Sequence, residues 1–212
     1  MTSIRVMLAD DHAIVRSGLR RMLEQTQEME VAVEAESGEQ AYQFFTEYLP
    51  DVAVLDLSMP GMGGLEAIRR ILSRHSNARL LVFSMHENAS FASQALKAGA
   101  RGYISKTGAS GELLVAVQEV MRGKTYISPN VAQKMALQTL AGQDGPFQQL
   151  SSREFEVFRL LAEGKNTEEI GEVLKISQKT AANYYTLIKQ KLGISSSLEL
   201  IRMAMRHGII EE

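Results

Sequence analysis

Cysteine is absent from the 212 residues, and so is tryptophan. Without cysteine the chain can carry no disulfide framework, no thiolate metal site and no thiol nucleophile, a usage that suits a reducing compartment. Long apolar runs are missing too, none coming near the ~18 residues of a membrane-spanning helix. Nor is there a surplus of one charge: 23 Lys and Arg face 25 Asp and Glu, for a formal net charge of −2. No global basicity announces a nucleic-acid partner, so any such footprint has to be local. The N-terminal stretch IRVMLADDH sets two aspartates directly behind its apolar segment, which is not the pattern of a leader peptide. A cytoplasmic protein is expected. A hydrophobic content of 45% suffices for one large or two modest domains.

What the first half does contain is an alternation. Ile4 to Ala9 reads as a strand running into Asp10 and Asp11, then a helix with Val15, Leu19, Met22 and Leu23 on one face. Val31 to Ala35 is the next strand, and Ser37 with Gln40 forms a capping pair for a helix turning Ala41, Phe44, Phe45 and Tyr48 inward. Val52 to Leu55 is apolar throughout, as a strand buried on both faces should be, and it ends at Asp56 and the loop LSMPGMGG. A helix with Leu65, Ile68 and Leu72 follows, then a strand over Arg79 to Ser84, a helix centred on Ala92 to Ala98, a short strand over Gly102 to Ser105, and a helix over Leu113 to Met121. Strands and helices joined by short loops predict an α/β doubly wound five-stranded parallel sheet over residues 3–123.

In such a sheet ligands bind beyond the carboxyl ends of the strands. Asp10 and Asp11 follow the first strand, Asp56 the third, Ser84 the fourth and Lys106 the fifth. Three crowded carboxylates raise one another's pKa unless a cation sits among them, and a hard, oxygen-seeking ion such as Mg²⁺ resolves the conflict. Lys106 adds a mobile positive charge suited to a phosphate, Ser84 a donor to one of its oxygens, and a carboxylate can carry a phosphoryl group as an acyl phosphate. Taken singly, each residue has a purely structural reading as a cap, a strand end or a solvated side chain.

Taken together, these positions resemble the receiver domain of bacterial two-component response regulators. The resemblance implies that Asp56 is the phosphoacceptor and that Asp10, Asp11 and Asp56 bind Mg²⁺ with the Ser58 main-chain carbonyl as a further ligand. It also implies that Ser84 and Tyr103 are a switch pair and that Lys106 contacts the phosphoryl group. There is one departure. Many receivers have a proline after the lysine, in a cis peptide that aims it; Thr107 stands here, and a cis bond before a non-proline residue costs ~3 kcal/mol or more.

Residues 124–147 read as a linker. Ser128 and Pro129 begin a weakly amphipathic helix reaching Leu140 through Val131, Met135 and Leu137, and AGQDGP is a joint. From 148 to 212 the pattern is all helix. Ser151 with Glu154, Asn166 with Glu169 and Ser196 with Glu199 are capping-box pairs, and Ser177 is a good N-cap, so a small four-helix unit is expected. Only KIS separates Thr167 to Leu174 from Gln178 to Leu192, the length of a helix-turn-helix joint. The second of these helices carries Lys179, Lys189 and Lys191 and no acid, within a tail whose nine basic residues are balanced by nine acidic ones.

The stretch from LSSREFEVFRLLAEG to YYTLIKQKLGIS is similar to the LuxR-type helix-turn-helix, and a receiver followed by this module is the layout of NarL/FixJ-type response regulators. That resemblance implies that Gln178 to Leu192 enters the major groove, with Ala182, Asn183 and Thr186 toward bases, and Lys179 and Lys189 near phosphates; Thr180 belongs to the same DNA-binding set. Two positions depart from it: Ala181 stands where a branched core residue is usual, and Ala182 where a long polar one is.

The function expected from the whole is a phosphorylation-controlled, DNA-binding transcription regulator. Its partners would be a sensor histidine kinase, double-stranded DNA and, when phosphorylated, a second copy of the chain, with Leu198, Ile201 and Met205 of the last helix as a pairing surface. It would not be an enzyme beyond its own phosphorylation and dephosphorylation. A phosphate sink or protein-binding output with weakened or lost DNA binding, and a metal-dependent phosphotransfer enzyme acting on a small molecule, stand as alternatives.

Overall fold

Six parallel strands, ordered β2-β1-β3-β4-β5-β6, carry the first half of the computed structural model, which describes residues 3–108, 111–140 and 145–210. They are β1 (Ile4–Ala9), β2 (Met29–Ala35), β3 (Val52–Leu55), β4 (Leu80–Ser84), β5 (Gly102–Ser105) and β6 (Tyr126–Ile127). The crossovers are α1 (Ala13–Glu24), α2 (Gly38–Tyr48), α3 (Gly64–Arg74), α4 (Ala89–Lys97) and α5 (Glu112–Met121), and α6 (Pro129–Leu140) follows the last strand. β3 is buried along its whole length, which is why its sequence shows no alternation. None of the described helices is long and apolar enough to cross a membrane.

The sequence leads one to expect five strands; the sheet has six. β6 is two residues long, too short to show a period, and exists because Tyr126 and Ile127 pair with Gly102 and Tyr103. Tyr48 was expected inward but is exposed, edge-on to Phe44, because α2 is ending there and its buried stripe runs through Ala41 and Phe45. At α2 the Ser37 side chain accepts from the Gln40 amide, while the Gln40 side chain accepts from the Glu36 amide, so the cap is not reciprocal.

The register explains the site. Ala9 pairs with Leu55 and Ser84 with Ser105, so Asp10, Asp56 and Lys106 each emerge one residue beyond a paired strand end. Backbone bonds carry the alignment past the strands, from Asp56 N to Ala9 O (2.8 Å) and from Lys106 N to Ser84 O (2.8 Å). Gly64 lets α3 start against this edge: a Cβ there would lie 2.2 Å from the Asp56 carbonyl oxygen.

The second half is a four-helix unit of α7 (Ser152–Ala162), α8 (Thr167–Leu174), α9 (Gln178–Leu192) and α10 (Ser197–Arg206), preceded by a 3-10 turn over Pro146–Gln149. Both α7 and α8 begin with complete capping boxes, at Ser151 with Glu154 and at Asn166 with Glu169. Of the AGQDGP joint, 141–144 lie outside the described residues; Pro146 opens the 3-10 turn that buries Phe147.

The helical unit sits on the sheet's carboxyl edge, and the two share one apolar cluster. Phe91 of α4 meets Phe155 of α7 edge-on at 5.1 Å, and Phe155 meets Phe147 at 5.7 Å. Polar contacts converge on the loop after Asp56: Gly61 N donates to Val173 O (2.9 Å), and Arg153 Nη1 donates to Met62 O (3.1 Å). The same guanidinium reaches Leu174 O (2.7 Å) through Nη2 and pairs with Glu156 (2.8 Å). Glu156 is pressed on Gly63, whose φ is +72° and whose absent Cβ would meet its carboxylate at 2.3 Å. On the far side Lys97 Nζ donates to Leu150 O (3.2 Å) and Gln94 Nε2 to Phe147 O (2.6 Å).

Gly64→Ala should destabilise the chain by ~1–3 kcal/mol, because its methyl meets backbone that cannot step aside. Urea unfolding with the wild-type midpoint would show that the approach of α3 to Asp56 is not tight.

Candidate functional site

Asp10 and Asp56, buried to 2% and 3% exposure, face one another beyond β1 and β3, and Lys106 Nζ lies between them, 2.6 Å from Asp10 Oδ2 and 2.9 Å from Asp56 Oδ2. Burial pushes the Asp56 carboxyl above the usual carboxylate range, and Asp10 adds to that, with the Lys106 bonds and the Ser58 amide pulling the other way. Burial also works against the Lys106 ammonium, but the bonds to Asp10 and Asp56 outweigh it and raise its pKa. Asp11 is more exposed. Ligand-type atoms of Asp10, Asp11, His12 and Asp56 all lie within 4.8 Å of one another, close enough to hold one metal ion. Oxygen donors dominate that set, which suits a hard divalent cation.

Ser84 is fully buried at the end of β4, its Oγ accepting from His86 N (3.2 Å). Tyr103 is also fully buried, with its hydroxyl donating to His86 O (2.6 Å), so both side chains bond to the backbone of His86. The structure thus brings the two expected switch residues together, with Tyr103 already turned inward. Burial above all, with Asp56 and Glu87 nearby, raises the pKa of its phenol. Ser58 Oγ lies 3.3 Å from His86 Nε2.

In α9, Lys179, Ala182, Asn183 and Thr186 are exposed. Thr180 is partly covered, its hydroxyl bonded with that of Ser177 at the helix start, and the Thr186 hydroxyl donates to Ala182 O. Lys189 Nζ lies over the Tyr185 ring at 5.5 Å, and Lys191 is paired with Glu154 at 2.6 Å. Ala181 is fully buried in the shared core.

Four contributors escaped the sequence reading. Arg16 is buried in α1 and braces Asp10 through its carbonyl (Nη1 to O, 2.6 Å) while pairing with Glu34 and Glu36. Its place on the apolar stripe, three residues before Leu19, was the available signal. His12, beside two aspartates, was legible as a ligand-type residue. His86 stacks on Phe91 at 4.0 Å and 3°, and its pKa falls to about 4 through burial and the nearby Arg159 and Lys106. Glu87, in the loop after β4, carries no sequence signal, because a loop glutamate reads as solvated.

Two family models cover the chain: the response regulator receiver domain matches residues 6–118, and the bacterial regulatory proteins of the luxR family match residues 148–204. Over 210 residues the chain is 38% identical to the response regulator GacA of Pseudomonas viridiflava, covering 98% of each sequence. Over 208 residues it is 37% identical to the response regulator UvrY of Escherichia coli K12, covering 97% of this chain and 95% of UvrY. Among solved structures it is similar to RcsB from Salmonella enterica serovar Typhimurium bound to promoter P1flhDC in the presence of phosphomimetic BeF3-, with a TM-score of 0.73, 30% identity, and coverage of 95% and 98%. A receiver joined to a LuxR-type helix-turn-helix defines the class, and the chain belongs to the NarL/FixJ family of two-component response regulators.

His86 binds its proton less readily folded than unfolded, so the stability that its neutral form supports is complete above ~6.5 and is lost as pH falls from there toward about 4. In an NMR titration its ring protons should move with a midpoint near 4. A midpoint near ~6.5, the unperturbed histidine value, would mean that the ring is not held under Phe91 and Arg159.

Proposed function

We propose that this response regulator takes a phosphoryl group from a sensor histidine kinase onto Asp56 and answers by binding DNA as a dimer in the cytoplasm. One observation carries the reading: a buried carboxylate at the end of the central strand, bonded to Lys106 and facing a second buried carboxylate. Asp56 Oδ attacks phosphorus, the donor's bond to phosphorus breaks, and an acyl phosphate forms. Lys106 Nζ moves its bond from the Asp56 carboxylate to a phosphoryl oxygen. Asp10, Asp11 and Asp56, with the Ser58 carbonyl, would hold Mg²⁺, which when bound neutralises charge on the transferring group. Ser84 Oγ would then turn from His86 N to a phosphoryl oxygen, drawing in the loop after β4, with Tyr103 packing behind it.

The output side of the reading rests on Lys179, Ala182, Asn183 and Thr186 facing solvent together on α9. A single module with a balanced charge and a short Ala182 side chain has little counterion release to draw on, so its binding alone would be near 10⁻⁴ to 10⁻⁶ M. Pairing two modules raises avidity by ~10² to 10⁴. Leu198 and Met205, both exposed on α10, support that helix as the pairing surface.

Asp56→Asn should abolish acid-labile labelling by acetyl phosphate while leaving thermal unfolding cooperative, and chelation of Mg²⁺ should do the same to the wild type. Labelling that survives in the variant would move the acceptor elsewhere. In gel shifts on a two-half-site duplex, beryllofluoride should tighten wild-type binding by at least ~10²-fold and Ser84→Ala much less. Equal affinity of resting and activated protein would leave Asp56 controlling something other than assembly on DNA.

A further inference from the structure

The peptide between Lys106 and Thr107 is trans. Being threonine and not proline, residue 107 keeps an amide hydrogen, which it donates to Ser105 Oγ (3.1 Å), a bond no proline could make. The residues on either side of Lys106 are then gathered by one carboxylate. Ser105 Oγ donates to Glu87 Oε1 (2.8 Å), and so does the Thr107 hydroxyl. Glu87 is itself fixed from the linker helix α6, through Asn130 Nδ2 to Oε1 (2.7 Å) and Lys134 Nζ to Oε2 (3.0 Å). Behind them Ser105 N donates to the buried Ser128 Oγ (3.2 Å), which donates in turn to Glu112.

We propose that Glu87 is the positioning residue for Lys106, and that its bonds to Ser105 and Thr107 do here what a proline after the lysine does by covalent constraint. Lys106 has a long side chain with several free torsions, and its ammonium must lie within about 3 Å of both Asp10 and Asp56 to hold the acceptor. Its backbone is anchored on the strand side by Lys106 N to Ser84 O. On the helix side the chain turns through Thr107 and Gly108, and the two hydroxyls bonded to Glu87 are what ties that turn to the loop after β4. The carboxylate is set up for this: its pKa drops to about 2, first through the Thr107 bond, then through Lys134 and Ser105. It therefore stays ionised and acceptor-only across the working pH range. Because two of its donors belong to α6, the acceptor site is braced by a helix beyond the receiver's crossover helices.

The proposal rests on the assignment of Asp56 and Lys106, and its test reads Lys106 directly. In the full-length protein, competitive acylation of lysines, quantified peptide by peptide, should find Lys106 protected in the wild type. Glu87→Ala should make it several-fold more reactive, with Lys97 and Lys165 unchanged, and should slow acetyl phosphate labelling of Asp56 by roughly tenfold or more, the usual cost of losing an outer partner. Glu87→Gln keeps an oxygen for both hydroxyls and loses only the half-exposed pair with Lys134, so both readouts should stay within about twofold of wild type. A purely structural brace would instead lower the melting temperature and expose many lysines together. If Lys106 in Glu87→Ala is as protected as in the wild type, or if Glu87→Gln exposes it as fully as Glu87→Ala does, the proposal is overturned. Failure of the underlying assignment shows separately, as labelling that persists in Asp56→Asn whatever happens to Lys106.

Discussion

Everything at the sheet's carboxyl edge depends on one ammonium held between two buried carboxylates. Two unit charges 4 Å apart interact by about 4 kcal/mol at an effective dielectric of 20, so two carboxylates facing one another at that edge call for a cation between them. Lys106 supplies it, and its bond to Asp56 is the contact that phosphorylation there would have to break. The surrounding backbone is arranged around that contact. Paired strand ends place Asp10, Asp56 and Lys106, Arg16 holds the carbonyl of Asp10, and Gly64 lets α3 close against the carbonyl of Asp56.

The same edge is where the output domain docks. The loop after Asp56 donates from Gly61 to Val173 and receives Arg153 at Met62, while the loop after Ser84 and the helix it starts bring Phe91 to Phe155. Each neutral bond is worth ~0.5–1.5 kcal/mol net and the charged one up to ~3. An edge-on aromatic pair adds ~0.5–1.5 beyond its buried area. The sum is a few kcal/mol, which is the scale that matters, since ~5.5 kcal/mol moves a two-state equilibrium from 1:99 to 99:1. Glu156 lies in the same contact, where burial pushes its carboxyl up to about 7 against the pull of Arg153, so the stability its protonated form supports is lost as pH rises through that value, opposite in sign to His86. A cavity of about 210 Å³ remains between Ser58, Met59 and Pro60 on one side and Phe155, Glu156 and Arg159 on the other.

How far this was legible differs residue by residue. The strands ending at Asp10, Asp56 and Ser84 could be read because burial on both faces forces continuous apolar runs, and the caps at Ser151 and Asn166 because their partners lie three residues away. β6 could not, since two residues show no period and their pairing with β5 is a tertiary event. Tyr48 was misjudged because spacing alone does not say where a helix leaves the core. Thr107 could be noticed only as a missing proline; its compensating partner, Glu87, is 20 residues away in sequence, and no local pattern links them. The contact of Gly61 with Val173 lies between domains and rests on backbone atoms, which side-chain identity does not encode.

The loop after β3 anchors the helical unit through Gly61 and Met62, and if Asp56 is the acceptor this anchor should let go when Asp56 is phosphorylated. The amide of Gly61 reports on it directly, because its acceptor, Val173 O, belongs to the other domain. Hydrogen exchange resolved to that amide, in the full-length protein with and without beryllofluoride and Mg²⁺, should show protection at rest that is lost on activation, while the amide of Asp56, bonded to Ala9 within the sheet, stays protected. Unchanged protection of Gly61 with Asp56 demonstrably occupied would contradict the claim.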